Sequence, residues 1–263
     1  MSVPFEPPVA LSSLSGESDA DWARAGADHA GAAFLGGIAI DSPTRAAARS
    51  MVDRDRSEFL PPDPLAFVAD QFEALEDAPI RPGINVRTTS IGPLRAMAEL
   101  CREHGAILEI NAHCRQGEMC DAGAGESLLR DGDRLCEQVR AAAAEGPTVG
   151  VKLRTEVAGV NLPALAARLG RAGADLLHVD AMDSERVVAD VVERIEAVDD
   201  TPGTDDVAVI ANNGVRGTRT VETYLRYGAD AVSVGRPSTD AETLAAVRQA
   251  TEAYRERPRL EVW

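Results

Sequence analysis

Of the 27 basic side chains in this 263-residue chain, 26 are arginine and one, Lys152, is lysine. Lys152 lies in the run Val151-Lys152-Leu153-Arg154, whose alternation of apolar and basic residues reads as the end of a β-strand. A compact ammonium suits contact with a single electron-rich atom better than a planar guanidinium does. A second concentration of chemistry is Glu109-Ile-Asn111-Ala-His113-Cys114, which puts an amide, an imidazole and a thiol together at another strand end. A thiol of ordinary pKa about 8.5, tuned by His113 or Arg115, can act as a proton donor or acceptor. His178 lies near the end of the run Leu176-Leu177-His178-Val179, where a lone histidine is more often a hydrogen-bonded core residue than a catalytic one. Ala211-Asn212-Asn213-Gly214-Val215 and Val234-Gly235-Arg236-Pro237-Ser238 combine small residues, which let backbone N–H groups approach an anion, with one arginine. Either could be a plain turn, but two of them at two consecutive strand ends favour a phosphate site. His113, Cys114, Cys120 and Cys136 match no usual zinc spacing, so no metal is expected.

These residues are positioned by an alternation of short strands and alanine-rich helices. Strands are expected over Val9–Leu14, Ala33–Ile40, Ile84–Thr88, Ile107–Asn111, Val149–Arg154, Leu176–Val179, Val207–Ala211 and Ala231–Val234. Helices are expected to begin near Asp19, Thr44, Gly92, Gly125, Leu162, Ser184, Thr218 and Asp240, several of them at residues able to cap free amide groups. Strands such as Leu176-Leu-His-Val are nearly continuous in apolar character, as parallel strands buried on both faces are. Eight βα units in this length predict an α/β protein folded as one (β/α)₈ TIM barrel spanning 1–263. The charged, proline-containing stretch Asp53–Pro64 reads as a loop insertion, and the tail after Arg255 as irregular. In such barrels function gathers at the C-terminal strand ends, with phosphate held after strands seven and eight.

The formal net charge of −16, with lysine almost eliminated, suggests a proteome adapted to high salt, where a strongly charged surface maintains solubility. Under such screening an acidic chain argues only weakly against a nucleic-acid partner. No long apolar run and no charged-then-apolar leader appears, so a cytoplasmic protein without a membrane segment is expected. The four cysteines lack CxxC spacing, which fits reduced thiols better than a disulfide framework.

In order along the whole barrel, the chain resembles the tRNA-dihydrouridine synthase family of FMN-dependent barrels, in an archaeal, barrel-only form. Asn111 and Cys114 keep the spacing of the family's Asn-x-Gly-Cys-Pro, and Gly123-Ala-Gly125 and Leu128-Leu129-Arg130 follow at its distances. Val151-Lys152-Leu153-Arg154 is similar to its Val-Lys-Ile-Arg, and His178 to the histidine of its sixth strand. The two phosphate loops also correspond, and Leu11-Ser-Ser13-Leu14-Ser-Gly16 is similar to a segment that lies against the flavin.

The resemblance implies FMN, with Lys152 against the pyrimidine side of the ring, where a cation stabilises reduced flavin. It implies that His178, Asn212, Asn213, Gly214, Gly235 and Arg236 hold the ribityl phosphate. Ser13, Leu14, Asn85 and Asn111 would contact the cofactor, Asn85 in place of a family glutamine. It further implies reduction of a uracil-type C=C bond, with Cys114 as general acid and NADPH or NADH as a transient donor. Two departures stand out: Gly-Cys-Pro has become His113-Cys114-Arg115, and Asp180 replaces a frequent arginine. The family's C-terminal helical domain, which helps grip tRNA, is not expected here. The substrate is therefore tRNA or a small pyrimidine-like molecule, the latter in the manner of dihydroorotate dehydrogenase. Two readings from other classes are a flavin-free phosphate-binding barrel with Lys152 as a Schiff base, and a catalytically idle binding barrel.

Overall fold

The computed structural model describes residues 3–197 and 207–257. Eight parallel strands close into a barrel: β1 Val9–Leu11, β2 Ala32–Ala39, β3 Arg81–Arg87, β4 Ile107–Asn111, β5 Thr148–Arg154, β6 Leu176–Asp180, β7 Ala208–Asn212 and β8 Ala231–Val234. β1 pairs with both β2 and β8, so no strand edge remains open. The expected (β/α)₈ architecture is the observed one. All eight expected strands are present, though β1 stops at Leu11, short of Leu14.

Helices pack around the barrel, and polar residues start them. Asp19, Asp63, Asp131, Asn161 and Asp240 each accept a backbone N–H from the first turn. Asp41 caps helix Ser42–Val52 by bonding Thr44 N, and Thr44 returns a side-chain contact, a reciprocal box. The stretch expected as a loop from Asp53 ends at Asp63. A ten-residue helix, Pro64–Glu73, follows it, with proline at its tolerated first position. The region near Gly125 holds two short helices, Gly117–Asp121 and Ser127–Arg130, ahead of helix Gly132–Ala143. The tail expected to be irregular lies, from residue 258 on, outside the described residues.

Side chains alternate across each strand, so every second residue points into the barrel. In β3 through β6 the inward positions read Gly83-Asn85-Arg87, Ile107-Glu109-Asn111, Gly150-Lys152-Arg154 and Leu176-His178-Asp180. The interior is therefore layered. Ala10, Ala32, Phe34, Ile107, Leu176, Ala208, Ile210 and Ala231 fill the N-terminal end, sealed by Val3 and Phe5. Above them lies a buried polar layer, and the C-terminal mouth carries the charged residues.

Candidate active site

The polar layer is one connected hydrogen-bond chain. Asn212 Nδ2 donates to Ser233 Oγ at 2.7 Å, and Ser233 meets His178 Nε2 at 2.7 Å. His178 Nδ1 meets Glu109 Oε2 at 2.6 Å, and Asn85 Nδ2 donates to Glu109 Oε1 at 2.6 Å. Asn111 Nδ2 donates to Asn85 Oδ1 at 2.7 Å, while Asn111 Oδ1 accepts the backbone N–H of Cys114 at 2.8 Å and of His113 at 3.1 Å. The β7 end and the loop after β4 are thus joined through the barrel interior.

Donor and acceptor requirements fix the protonation along this chain. Burial lowers the His178 pKa most strongly, Lys152 adding to the fall and Glu109 opposing it; the ring is neutral at neutral pH. Burial alone would raise Glu109, but His178 and then Lys152 and Asn85 outweigh it, and its carboxyl sits below the usual range. His178 therefore carries its proton on Nδ1 toward the Glu109 carboxylate, and its bare Nε2 accepts from the Ser233 hydroxyl. Glu109 is fully buried, and a charge there is tolerable only with these partners.

Lys152 Nζ donates to Ser12 Oγ at 2.5 Å, and the residue is 4% exposed. Burial pulls its pKa down, while Glu109 and Asp180 push it up. Two cavities meet at this ammonium. The first, about 230 Å³, lies between Ser13, Leu14, Lys152, Asn212, Asn213, Gly214, Gly235 and Arg236. The second, about 440 Å³, is bounded by Arg56, Arg87, Asn111, Cys114, Arg115 and Gln116. Both are also lined by Ser13, His113, Lys152 and Arg236, so they form one continuous mouth.

The first cavity is walled by the glycine-containing turns after β7 and β8. A Cβ built on Gly214 or Gly235 meets nothing within 4 Å, so a side chain at either would intrude into open space there. Gly214 has φ +65°, and Asn213 before it has φ 93°. Tyr224 holds this turn by donating its hydroxyl to Asn213 O at 2.9 Å, and Asn213 Nδ2 donates to Met182 O at 2.7 Å.

At the β4 end, Gly125 has φ +62°, and a Cβ there would lie 2.2 Å from Cys114 O. Only glycine lets the two segments approach this closely. Cys114 is 9% exposed and packs with Ala39, Ala47, Ala48, Met51, Met119 and Ala124. His113 turns the other way, and its Nε2 meets Asp180 Oδ2 at 2.5 Å. Burial would raise Asp180, but the His113 hydrogen bond dominates the opposing influences and holds it at about 2.

Ser13, Leu14, Asn111, Cys114, Lys152, Asn212, Asn213, Gly214, Gly235 and Arg236 all line the mouth. Asn85 and His178 do not: both are fully buried one layer below, with their polar atoms taken by neighbours. Sequence reasoning missed Glu109 as the centre of the network, Ser12 and Ser233 beside it, and Arg87. The strand alternation that placed Lys152 inward carried the same signal for Glu109. Arg87 donates to Glu58 Oε2 at 2.5 Å and to Ser15, and the ion pair is 3% and 1% exposed. Glu58 belongs to the stretch read as a loop insertion, which folds back over the mouth. Among the described residues no cluster could hold a metal ion, and no helix is long and apolar enough to cross a membrane.

The structure is a closed parallel (β/α)₈ barrel with glycine-containing turns after β7 and β8 and a buried lysine beside them. The chain belongs to the dihydrouridine synthase family, whose model matches residues 84–263. An uncharacterized protein of Methanocaldococcus jannaschii is 26% identical over 241 residues, covering 87% of this chain and 88% of that protein. Among solved structures, a mandelate oxidase variant with benzaldehyde aligns with TM-score 0.59 at 16% identity, over 93% of this chain and 73% of that one. The Pyrococcus furiosus tryptophan synthase complex aligns with TM-score 0.57 at 12% identity, over 93% and 97%. An IMP dehydrogenase/GMP reductase-like protein of Corynebacterium glutamicum gives TM-score 0.56 at 16% identity, over 92% and 67%. At such identities these structures share the fold.

Proposed function

We propose that this protein is an FMN-dependent oxidoreductase that reduces a uracil-type C=C bond, with tRNA uridine as substrate and NADPH or NADH as electron source. Membership of the dihydrouridine synthase family supports this reading. One solved relative in fold, a mandelate oxidase variant, carries an FMN adduct, which supports the cofactor. The observation that carries the proposal is the placement of Lys152, whose buried ammonium stands where the anion cradle opens into the larger cavity.

The residues present fit FMN. Gly214, Gly235, Asn213 and Arg236 suit a phosphate, and the open space beyond the two glycines is what a phosphate group would fill. Lys152, held toward the ring by Ser12, would stabilise negative charge on the pyrimidine side. When bound, the flavin supplies the electron pair. Asn111 fixes the β4 loop by accepting two of its backbone N–H groups. His178 and Asn85 would support the cofactor-binding side chains from below through Glu109, Ser233 and Asn111. Two proton-bearing side chains of that loop line the substrate cavity, Cys114 and His113.

The test has two stages. Purified protein mixed with FMN should retain it through gel filtration and absorb in the visible; a protein that stays colourless sinks the proposal. Mass spectrometry of tRNA from a deletion strain should then show lost dihydrouridine, restored by the gene. Unchanged dihydrouridine would remove tRNA as the substrate.

A further inference from the structure

Two departures from the family pattern, the histidine at 113 and the aspartate at 180, are 67 residues apart in sequence and meet at 2.5 Å across the mouth of the barrel. We infer that His113, held by Asp180, is the group that delivers the substrate proton in this protein, in place of the Cys114 thiol. The inference rests on the functional reading above and adds a catalytic residue and its positioning partner to it.

The geometry separates the two candidates. The His113 ring lines both cavities and so stands between cradle and substrate space, with its side chain 32% exposed. Cys114 touches only the larger cavity and packs into an apolar cluster of alanines and methionines. Among the described residues no cation is bonded to its sulfur, whereas reactive thiols need an electropositive partner. His113 has what an acid–base imidazole needs: one ring nitrogen on a carboxylate, which fixes tautomer and orientation, and the other left for the substrate. Among the described residues the Nδ1 of His113 takes part in no hydrogen bond.

The neighbours also poise the ring. Burial lowers the His113 pKa, and Lys152 and Arg154 from β5 add to that, while Asp180 from β6 opposes them. Arg236, beyond β8, and Arg115, in its own loop, face the same space. The carboxylate stays ionised, with the Met182 N–H donating to its second oxygen at 3.2 Å. In the reducing direction one carbon of the C=C bond would take hydride, and the imidazolium form of His113, keeping its Nε2–H on Asp180, would give its Nδ1 proton to the adjacent carbon and become the neutral ring. A nicotinamide would supply the electron pair for the next turnover, and solvent at the mouth would return Nδ1 of the neutral ring to its protonated form.

The first test reads the pair without turnover. In FMN-loaded protein labelled on its four histidines, the His113 resonance is assigned by its loss in His113→Gln. Replacing Asp180 with asparagine should lower the imidazole pKa by about one to three units, while Asp180→Glu, which keeps the charge, should restore most of it. Titration of His113 indifferent to both changes would overturn the pair.

The second test is single turnover of FMN-loaded enzyme, pre-reduced with NADPH, on an unmodified tRNA transcript, with dihydrouridine read by mass spectrometry. His113→Gln should lose about 100-fold or more with its flavin still bound and reducible, and Cys114→Ala no more than about tenfold. The opposite ranking returns the proton to the thiol and overturns the inference. If wild-type protein holds reducible flavin but makes no dihydrouridine, the functional reading fails, and the His113–Asp180 pair is judged by the titration alone.

Discussion

Replacing Glu109 with glutamine changes one atom type at the centre of the buried network and tests whether that carboxyl is ionised. The carboxylate accepts from Asn85 Nδ2 and from His178 Nδ1, and lies close enough to Lys152 to influence its titration. Glutamine keeps one acceptor oxygen and sets an NH₂ group against one of two donors. The least costly rearrangement moves the His178 proton to Nε2, so that the new NH₂ donates to Nδ1 and the ring donates to Ser233. That preserves the bonds but removes one of the two carboxylates, Glu109 and Asp180, that compensate Lys152. Loss of the whole compensation of a buried charge costs about 3–5 kcal/mol; the remaining Asp180, and a retained hydrogen bond worth about 1 kcal/mol, offset part of it. A net loss of about 2–4 kcal/mol should lower the urea midpoint of the FMN-free protein by roughly 1 M at an m value of about 3 kcal/mol/M. Nitrogen NMR of His178 should show the tautomer exchanged. A midpoint within about 0.2 M of wild type, with the tautomer unchanged, would mean the carboxyl is already protonated, and the charge assignments of the whole layer would fall.

Lys152→Ala should weaken FMN retention by about tenfold or more and Lys152→Arg should not restore it, because the guanidinium cannot occupy the buried space beside Ser12; equilibrium dialysis with FMN checks both. Gly235→Val should fill the open space of the cradle and reduce FMN affinity by about 10- to 100-fold, as loss of one or two charge-assisted bonds implies, with the thermal midpoint nearly unchanged. Asp41, bonded by Thr44, Thr88 and Thr89, has its pKa lowered to about 2 although burial alone would raise it. Its folded pKa is below its unfolded one, so its contribution is complete above about pH 4 and disappears as pH falls toward 2. Asp41→Asn should flatten that part of an acid-unfolding curve, and a curve of unchanged steepness would remove Asp41 as a contributor.

Sequence periodicity made the barrel legible because every strand needs the same two-residue alternation, which is local. Lys152 was legible for the same reason, with its rarity added. The pairs that give these residues their chemistry were not. His178 finds Glu109 from 69 residues away, and the two can be matched only when the register across β4, β5 and β6 is known. Glu58 sits in a stretch whose prolines and charges signal a loop, and its burial against Arg87 depends on where that loop folds. Helix Pro64–Glu73 was hidden by the prolines before it, although Asp63 followed by Pro64 is itself a start signal. Asn85 and His178 were expected at the cofactor. Alternation places them inward, but it does not say at which depth, and the next inward residues, Arg87 and Asp180, occupy the mouth.

The charge of the mouth runs against the charge of the chain. A protein of net charge −16 lines its larger cavity with Arg56, Arg87, Arg115, Lys152 and Arg236 and with no carboxylate. Two of the five are compensated from within: Arg87 by Glu58, and Lys152 by Glu109 and Asp180. Arg56, Arg115 and Arg236, which are exposed, remain to meet an anion. In molar salt the screening length falls to about 3 Å, so these arginines act only in direct contact, while the buried pairs beneath them keep their strength. Reversing Arg236, which lines both cavities, should therefore weaken FMN binding even at molar salt. Reversing Arg226, on an outer helix, should leave it unchanged at any salt. Equal losses from the two reversals would mean that the overall field, not contact at the cradle, attracts the phosphate.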